Sequence, residues 1–236
     1  NHNAETVTLA RSYDDPVAVA FVATENGPQP VNVRISAVAG DQLTLQLQEP
    51  NYLDGNHTNE TVNYLVVEAG TWVLPDGTLL EAGTLTSSLL SPQGFASVAF
   101  DAAFDARPVT LSQVQSFNGP DFVTTRKKAI DANGFEVTMQ EEEALNGGGH
   151  TTETIGWIAL EAGSGTAGAV DWFAGSTPGV TDATASIGLG TPVPGGAHAI
   201  AALSSFAGAD PAWARGDGST NSAFDVSVEE DASQDA

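Results

Sequence analysis

Glu60-Thr61-Val62-Asn63-Tyr64-Leu65-Val66-Val67-Glu68-Ala69-Gly70 and Glu153-Thr154-Ile155-Gly156-Trp157-Ile158-Ala159-Leu160-Glu161-Ala162-Gly163 are one element written twice. Each opens on Glu-Thr, continues through β-branched and aromatic residues, and closes on Glu-Ala-Gly, the composition of a strand bounded by a turn. Working outward, an offset of 92 carries Pro16, Asn26-Gly27, Arg34 and Leu43-Thr44-Leu45-Gln46-Leu47-Gln48-Glu49 onto Pro108, Asn118-Gly119, Arg126 and Phe135-Glu136-Val137-Thr138-Met139-Gln140-Glu141. A further 89 reaches Ala207-Gly208, Arg215 and Phe224-Asp225-Val226-Ser227-Val228-Glu229-Glu230. An opening strand recurs as well, as Val7-Thr8-Leu9, Val98-Ala99-Phe100 and Ile187-Gly188-Leu189. Self-similarity at a near-constant spacing is the mark of a repeat architecture.

Within each copy apolar and polar residues alternate with period two, and Gly, Asn-Gly or Asp-Gly separate the runs. Half-buried antiparallel strands require that pattern, and helical periodicity is nearly absent. The expected fold is all-β, tandem antiparallel β-sandwiches, with repeats over residues 1–72 and 95–165, an incomplete third over 185–236, and connecting segments at 73–94 and 166–184. The third copy is incomplete because no counterpart of Glu153–Gly163 follows Glu230.

Thirty acidic against seven basic residues give a formal charge of −23. A field of that sign repels phosphate, so nucleic acid and anionic membranes are excluded as partners, and no apolar run reaches the length of a membrane span. Acidic excess with lysine only at Lys127 and Lys128 fits a protein working in salty water, where self-repulsion is screened. Without cysteine the chain has neither disulfides nor thiolate metal sites. It opens on Asn1, which is expected of a mature secreted protein or an excised fragment, and the expected location is extracellular or at the cell surface.

The order of opening strand, Pro-Val strand, Asn-Gly turn, arginine strand, Gly-Phe-x-Val strand and closing Trp-Ile-Ala strand resembles the H-type lectin domain. It is similar above all to the lectin-like repeats of very large secreted bacterial surface proteins. The resemblance implies sugar binding at loop ends by polar residues and an aromatic. The matching loops are 49–60 and 141–153, where Tyr52, Asp54, His57, Asn146 and His150 would line the pocket. These loops lack the Trp-His pair of the lectins, and Trp157 lies inside a strand, where packing is its expected role.

The N-terminus resembles the piece the third copy lacks. Asn1-His2-Asn3-Ala4-Glu5-Thr6-Val7 matches Asn56-His57-Thr58-Asn59-Glu60-Thr61-Val62 at five of seven positions. An open sandwich edge invites a strand from another chain, and head-to-tail donation generates filaments. The expected donor is Asn1, His2, Glu5, Thr6, Val7 and Leu9, and the expected acceptor is Phe224, Val226, Val228, Glu230 and Asp235, giving a homopolymer. An equally available reading is a window from a longer array that carries a lectin-like adhesin, since Val7, Leu9 and Tyr13 also suit the opening strand of the first copy.

Glu141, Glu142, Glu143 and Glu153 can supply oxygen ligands, for which calcium is the expected ion, although a solvated acidic face explains them equally simply. Arg34, Arg126 and Arg215 recur within strands, where pairing with a neighbouring carboxylate is expected. Asn56 and Asn59 head two glycosylation sequons. Catalysis is not expected: there is no Gly-x-Ser-x-Gly and no His-Glu-x-x-His, and Gly163, Gly165 and Gly168 open no helix.

Overall fold

A computed structural model of the chain describes residues 2–190, 192–193 and 197–234, and among them the regular structure is all strand. Asn1 of the expected donor and Asp235 of the expected acceptor lie outside the described residues.

The opening and middle strands of each copy build one small sheet. In the first copy β1 (Glu5–Tyr13) pairs with the second half of β3 (Asn32–Gln48), Val7 lying opposite Leu43. β3 folds back on itself about Gly40, which has φ of 57°, and the Ser36 hydroxyl donates to the Thr44 carbonyl across the bend. That left-handed conformation suits glycine, which has no Cβ to clash. In the second copy β7 (Ala96–Ala99), β10 (Gly134–Gln140) and β9 (Thr124–Asp131) repeat the order, Val98 opposite Phe135. In the third, β14 (Ala185–Gly188), β16 (Ala223–Glu230) and β15 (Ala212–Ser219) do so again, Ile187 opposite Phe224. The recurring segments read from the sequence carry each of these pairs onto the next, the opening strand of the second copy lying one residue short of the offset of 92.

The second layer is the closing strand against the Pro-Val strand. β2 (Pro16–Val22) pairs with β4 (Val62–Glu68) along its whole length. In the second copy β8 (Val109–Val114) pairs with β11 (Glu153–Leu160). Here the sheet continues through β6 (Leu79–Ser87) to β5 (Gly70–Val73), because β6 lies against β11 from Glu153–Ser87 to Leu160–Leu80. Residues 79–87 of the segment read as a connector over 73–94 are therefore a strand of the second copy's sheet. The corresponding hairpin before the third copy is β12 (Gly163–Ala167) with β13 (Val170–Ala174). The stretch 197–206, at the place of β2 and β8, has no strand partner among the described residues.

Packing follows this inventory. The second copy closes over a core of Leu90, Phe104, Val114, Phe135, Val137, Met139, Ile155 and Trp157, with Trp157 against Phe100 and Phe135. The first copy buries Leu9, Ala18, Ile35 and Leu43 in one cluster and Val22, Val31, Val33 and Leu47 in another. A fourth cluster joins copies: Val17, Val19, Ala82 and Ile158, packed by Leu111 and Ile200. Val19, Leu111 and Ile200 are equivalent under the offsets, so the three copies meet about a common centre and are not strung as beads. Glutamines seal the seam between β2 and β8. Gln115 Oε1 accepts from the Ala18 N–H at 3.1 Å, and Gln113 Nε2 donates to the Val33 carbonyl at 2.7 Å. An edge whose backbone groups are met by side chains is closed to further pairing.

Candidate functional site

Glu153 begins β11 and is wholly buried, a position a carboxylate holds only if donors surround it. The Ser116 hydroxyl donates to it at 2.5 Å, and the backbone N–H groups of Asn118 and Gly119 at 2.9 Å. Arg34, from the first copy, closes the set with Nη2 at 2.6 Å. The ring of His150 lies between two carboxylates, Nε2 at 3.2 Å from Glu153 and Nδ1 on Glu141.

The same lock is built a second time. Glu60 receives the Thr24 hydroxyl at 2.6 Å, the N–H groups of Asn26 and Gly27 at 2.9 and 3.0 Å, and Arg215 Nη2 at 2.8 Å. His57 bridges Glu60 at 3.0 Å and Glu49 at 2.9 Å. Arg215 comes from the third copy, and its other nitrogen meets Glu229 at 2.6 Å. Arginine serves here because its planar fork binds a carboxylate and loop carbonyls together. Arg34 thus ties copy one to copy two, and Arg215 ties copy three to copy one. Arg126 of copy two reaches the third-copy loop, donating to the Asp210 and Ser205 carbonyls at 3.1 and 3.4 Å, which completes a ring of contacts.

The electrostatics follow from burial and donors. Burial pushes the Glu153 carboxyl up, but Ser116, Gly119, Asn118 and Arg34 together hold it below the ordinary carboxylate value. Glu60 is lowered against the same burial by Thr24, Asn26, His57 and Gly27. His150 is opposed by burial, yet Glu141 and Glu153 raise it above the usual imidazole value. A group whose folded pKa is raised stabilises fully below its unfolded value, and that contribution is lost as pH rises through the folded value. The lowered Glu153 contributes above its unfolded value and loses its share as pH falls through the folded one. Replacing His150 by glutamine is therefore expected to cost most near pH 6 and progressively less toward pH 9. Urea unfolding of both proteins across that range measures the difference, and a cost independent of pH would show that the imidazolium is not what matters.

The expected site residues are placed differently from the sequence reading. His57, His150 and Asn146 are buried, the histidines between carboxylates and Asn146 bonded to the Glu141 N–H and to Ser91, so they offer no surface to a sugar. Tyr52 and Asp54 are exposed on their loop. Among the described residues no group of three or more acidic, cysteine or histidine side chains is placed to hold an ion. Glu141 faces His150, Glu153 faces Arg34, Glu142 accepts the Tyr52 N–H at 3.1 Å, and Glu143 accepts the Gln234 N–H at 3.0 Å. Asn56 and Asn59 are exposed.

In the expected donor, Glu5, Thr6 and Val7 are already paired with Leu45, Thr44 and Leu43, and Leu9 is buried in the first copy's core, while His2 is exposed. In the expected acceptor, Phe224 and Val226 lie in the middle of a sheet between β14 and β15. Val228 faces Ala214 on one side and donates its N–H to Thr181 on the other, and Glu230 pairs with Ala212. Among the described residues, 197–206 has no strand partner, and β16 is the central strand of the third copy's sheet. Sequence reasoning missed Thr24, Ser116 and the amides of the Asn-Gly turns. The recurrence of His-x-x-Glu together with Asn-Gly and arginine was the signal that could have found them.

One known protein is similar to this chain over most of its length. Halomucin of Haloquadratum walsbyi is 33% identical over 236 residues, a match covering 96% of this chain. The chain spans 2% of that protein's length. No protein-family model matches the chain and no solved structure matches it, so the likeness to H-type lectins rests on the quoted residues.

Proposed function

We propose that this chain is a structural segment of an extracellular, surface-associated protein of a salt-adapted organism, a unit from which a fibre or long array is built. The observation that carries the reading is the pair of buried Arg–Glu–His–Glu locks, each joining one copy to another. Their partners are internal, so what they supply is rigidity between copies. The similarity to Halomucin and the charge of −23 support the setting. A surface this acidic stays soluble where salt screens its self-repulsion. If the donor is the N-terminal strand of a second chain, β1 must first leave Gly40–Leu45 and withdraw Leu9 from the core.

Brief protease treatment of intact source cells tests the location. Peptides from the exposed loop around Asn51–Asn56 are expected in the supernatant while cytoplasmic proteins stay intact. Release only after lysis would overturn the reading.

A further inference from the structure

The locks account for His57 and Glu60 but not for the asparagines beside them. The first copy reads Asn56-His57-Thr58-Asn59-Glu60-Thr61 where the second reads Gly149-His150-Thr151-Thr152-Glu153-Thr154. Histidine, glutamate and both threonines are common to the two copies, as one shared fold asks. The asparagines are not: Gly149 and Thr152 stand in their places, and the second lock closes without them. Each asparagine nonetheless has a threonine two residues on with no proline between, the pattern by which an N-glycosyl transferase reads its acceptor. No other Asn-x-Ser or Asn-x-Thr occurs in the chain, so the pattern is confined to this one loop.

The loop turns its alternate residues opposite ways. The His57 and Glu60 side chains point into the lock, 1% and 0% exposed, while Asn56, Thr58, Asn59 and Thr61 are exposed. The two asparagines differ in how firmly the chain holds them. The Asn59 carbonyl accepts from Asn26 Nδ2 at 2.9 Å, the Thr61 N–H donates to Thr24 Oγ1 at 2.9 Å, and the Thr61 carbonyl accepts from the Ala23 N–H at 2.8 Å. Asn56 bonds to Asp54 alone among the described residues, its N–H to Oδ1 at 3.0 Å and its Nδ2 to the carbonyl at 3.2 Å. It follows Gly55, whose φ of 70° is the left-handed conformation that glycine adopts without strain. Space is open at this apex. A Cβ on Gly55 meets nothing within 4 Å, and neither does one on Gly149, the counterpart of Asn56.

An acceptor asparagine must lift from the protein surface, together with its threonine, to enter the transferase, so the cost of local opening decides between the two. Reaching Asn59 unzips 59–61 from Ala23, Thr24 and Asn26 and draws Glu60 off Arg215. Reaching Asn56 breaks two bonds inside its own loop and the contacts of the His57 ring.

We propose that Asn56 is an N-glycosylation site and Asn59 is not, because the folded loop presents the first sequon and withholds the second. Such a site rests on the extracellular reading above. The co-substrate is a lipid-linked glycosyl phosphate. Asn56 Nδ2 attacks its anomeric carbon, a C–N bond forms, and the bond from that carbon to the phosphate oxygen breaks. The lipid phosphate leaves with the electron pair and takes the proton that the amide gives up. A bulky, hydrated sugar placed there stands off the loop apex and leaves the lock intact.

Protein from the source cells, denatured and cut after glutamate, yields residues 50–60 as one peptide carrying both asparagines. Fragmentation that spares glycosidic bonds is expected to place a whole number of sugar residues on Asn56 and to leave Asn59 bare. Expressed in the same cells, Thr58→Val is expected to lose the added mass, whereas Thr58→Ser, which keeps a hydroxyl, and Thr61→Val are expected to retain it. A peptide at its bare mass, sugar on Asn59, or sugar on a threonine hydroxyl overturns the assignment. A bare peptide from protein that protease still releases from intact cells fails the glycan alone. Release only after lysis fails the location, so the two readings fail separately.

Discussion

Replacing Lys127 by methionine is expected to stabilise the chain by on the order of 4 kcal/mol at neutral pH. Lys127 lies on β9 with no exposed surface, its Nζ held by a single hydroxyl, Ser112 Oγ at 3.2 Å. Burial first, and then the neighbouring charge of Arg126, lower its pKa to about 7. The unfolded chain keeps the ordinary value of 10.5, so between the two the unfolded state binds the proton more tightly. Stability therefore rises with pH through that window, and the penalty is fullest below about pH 7. Methionine fills a similar volume without a charge, and the equivalent residue of the first copy is already apolar, Ile35, wholly buried in its core. The gain is expected to shrink toward zero near pH 10.5. Denaturant unfolding of both proteins at pH 7 and pH 10 reads it, and equal stability at pH 7 would mean that the ammonium has found compensation not seen around Nζ.

Lys127 also marks where sequence reading stops. Period-two alternation on β9 puts Lys127 and Lys128 on opposite faces, and the structure buries the first while the second reaches Glu136 at 3.2 Å from the surface. Nothing in the pair of letters says which face is inward, since that depends on the neighbouring strands. The strands themselves were legible, because their alternation and turns are local: β4, β11 and the opening strands fall where repetition placed them. The partner of each arginine was not. Arg34 and Glu153 are 119 residues apart, and Arg215 and Glu60 are 155 apart, in different copies. Equivalence under an offset says that two residues do the same thing without saying whom they meet. The histidines were misread for the same reason. A histidine in a loop beside acidic residues reads as a ligand-binding group until the fold brings a second carboxylate over it. Residues 79–87 were set aside within a connector because they are extra to the lectin-like pattern, although their sheet partner, β11, was one of the two strands from which the repeat was read.

Glu153→Ala is expected to be the most damaging single substitution in the lock, at about 3–5 kcal/mol. The loss is not that of one ion pair. Removing the carboxylate strands the Arg34 guanidinium inside the protein and leaves a hydroxyl, two backbone N–H groups and a histidine nitrogen without their acceptor. Arg34→Met alone leaves Glu153 with its neutral donors and is expected to cost less. The double variant is expected to fall well short of the sum, because methionine removes the charge that the alanine would have abandoned. The exposed Lys128–Glu136 pair is the internal reference, and breaking it is expected to cost under about 1 kcal/mol. A cycle measured by urea unfolding in constant molar salt separates these terms. Additive effects at Arg34 and Glu153 would mean that the two copies are held together by the apolar cluster around Val19, Leu111 and Ile200, with the lock only setting their register. Strong coupling would make the buried carboxylate the element that joins one copy to the next.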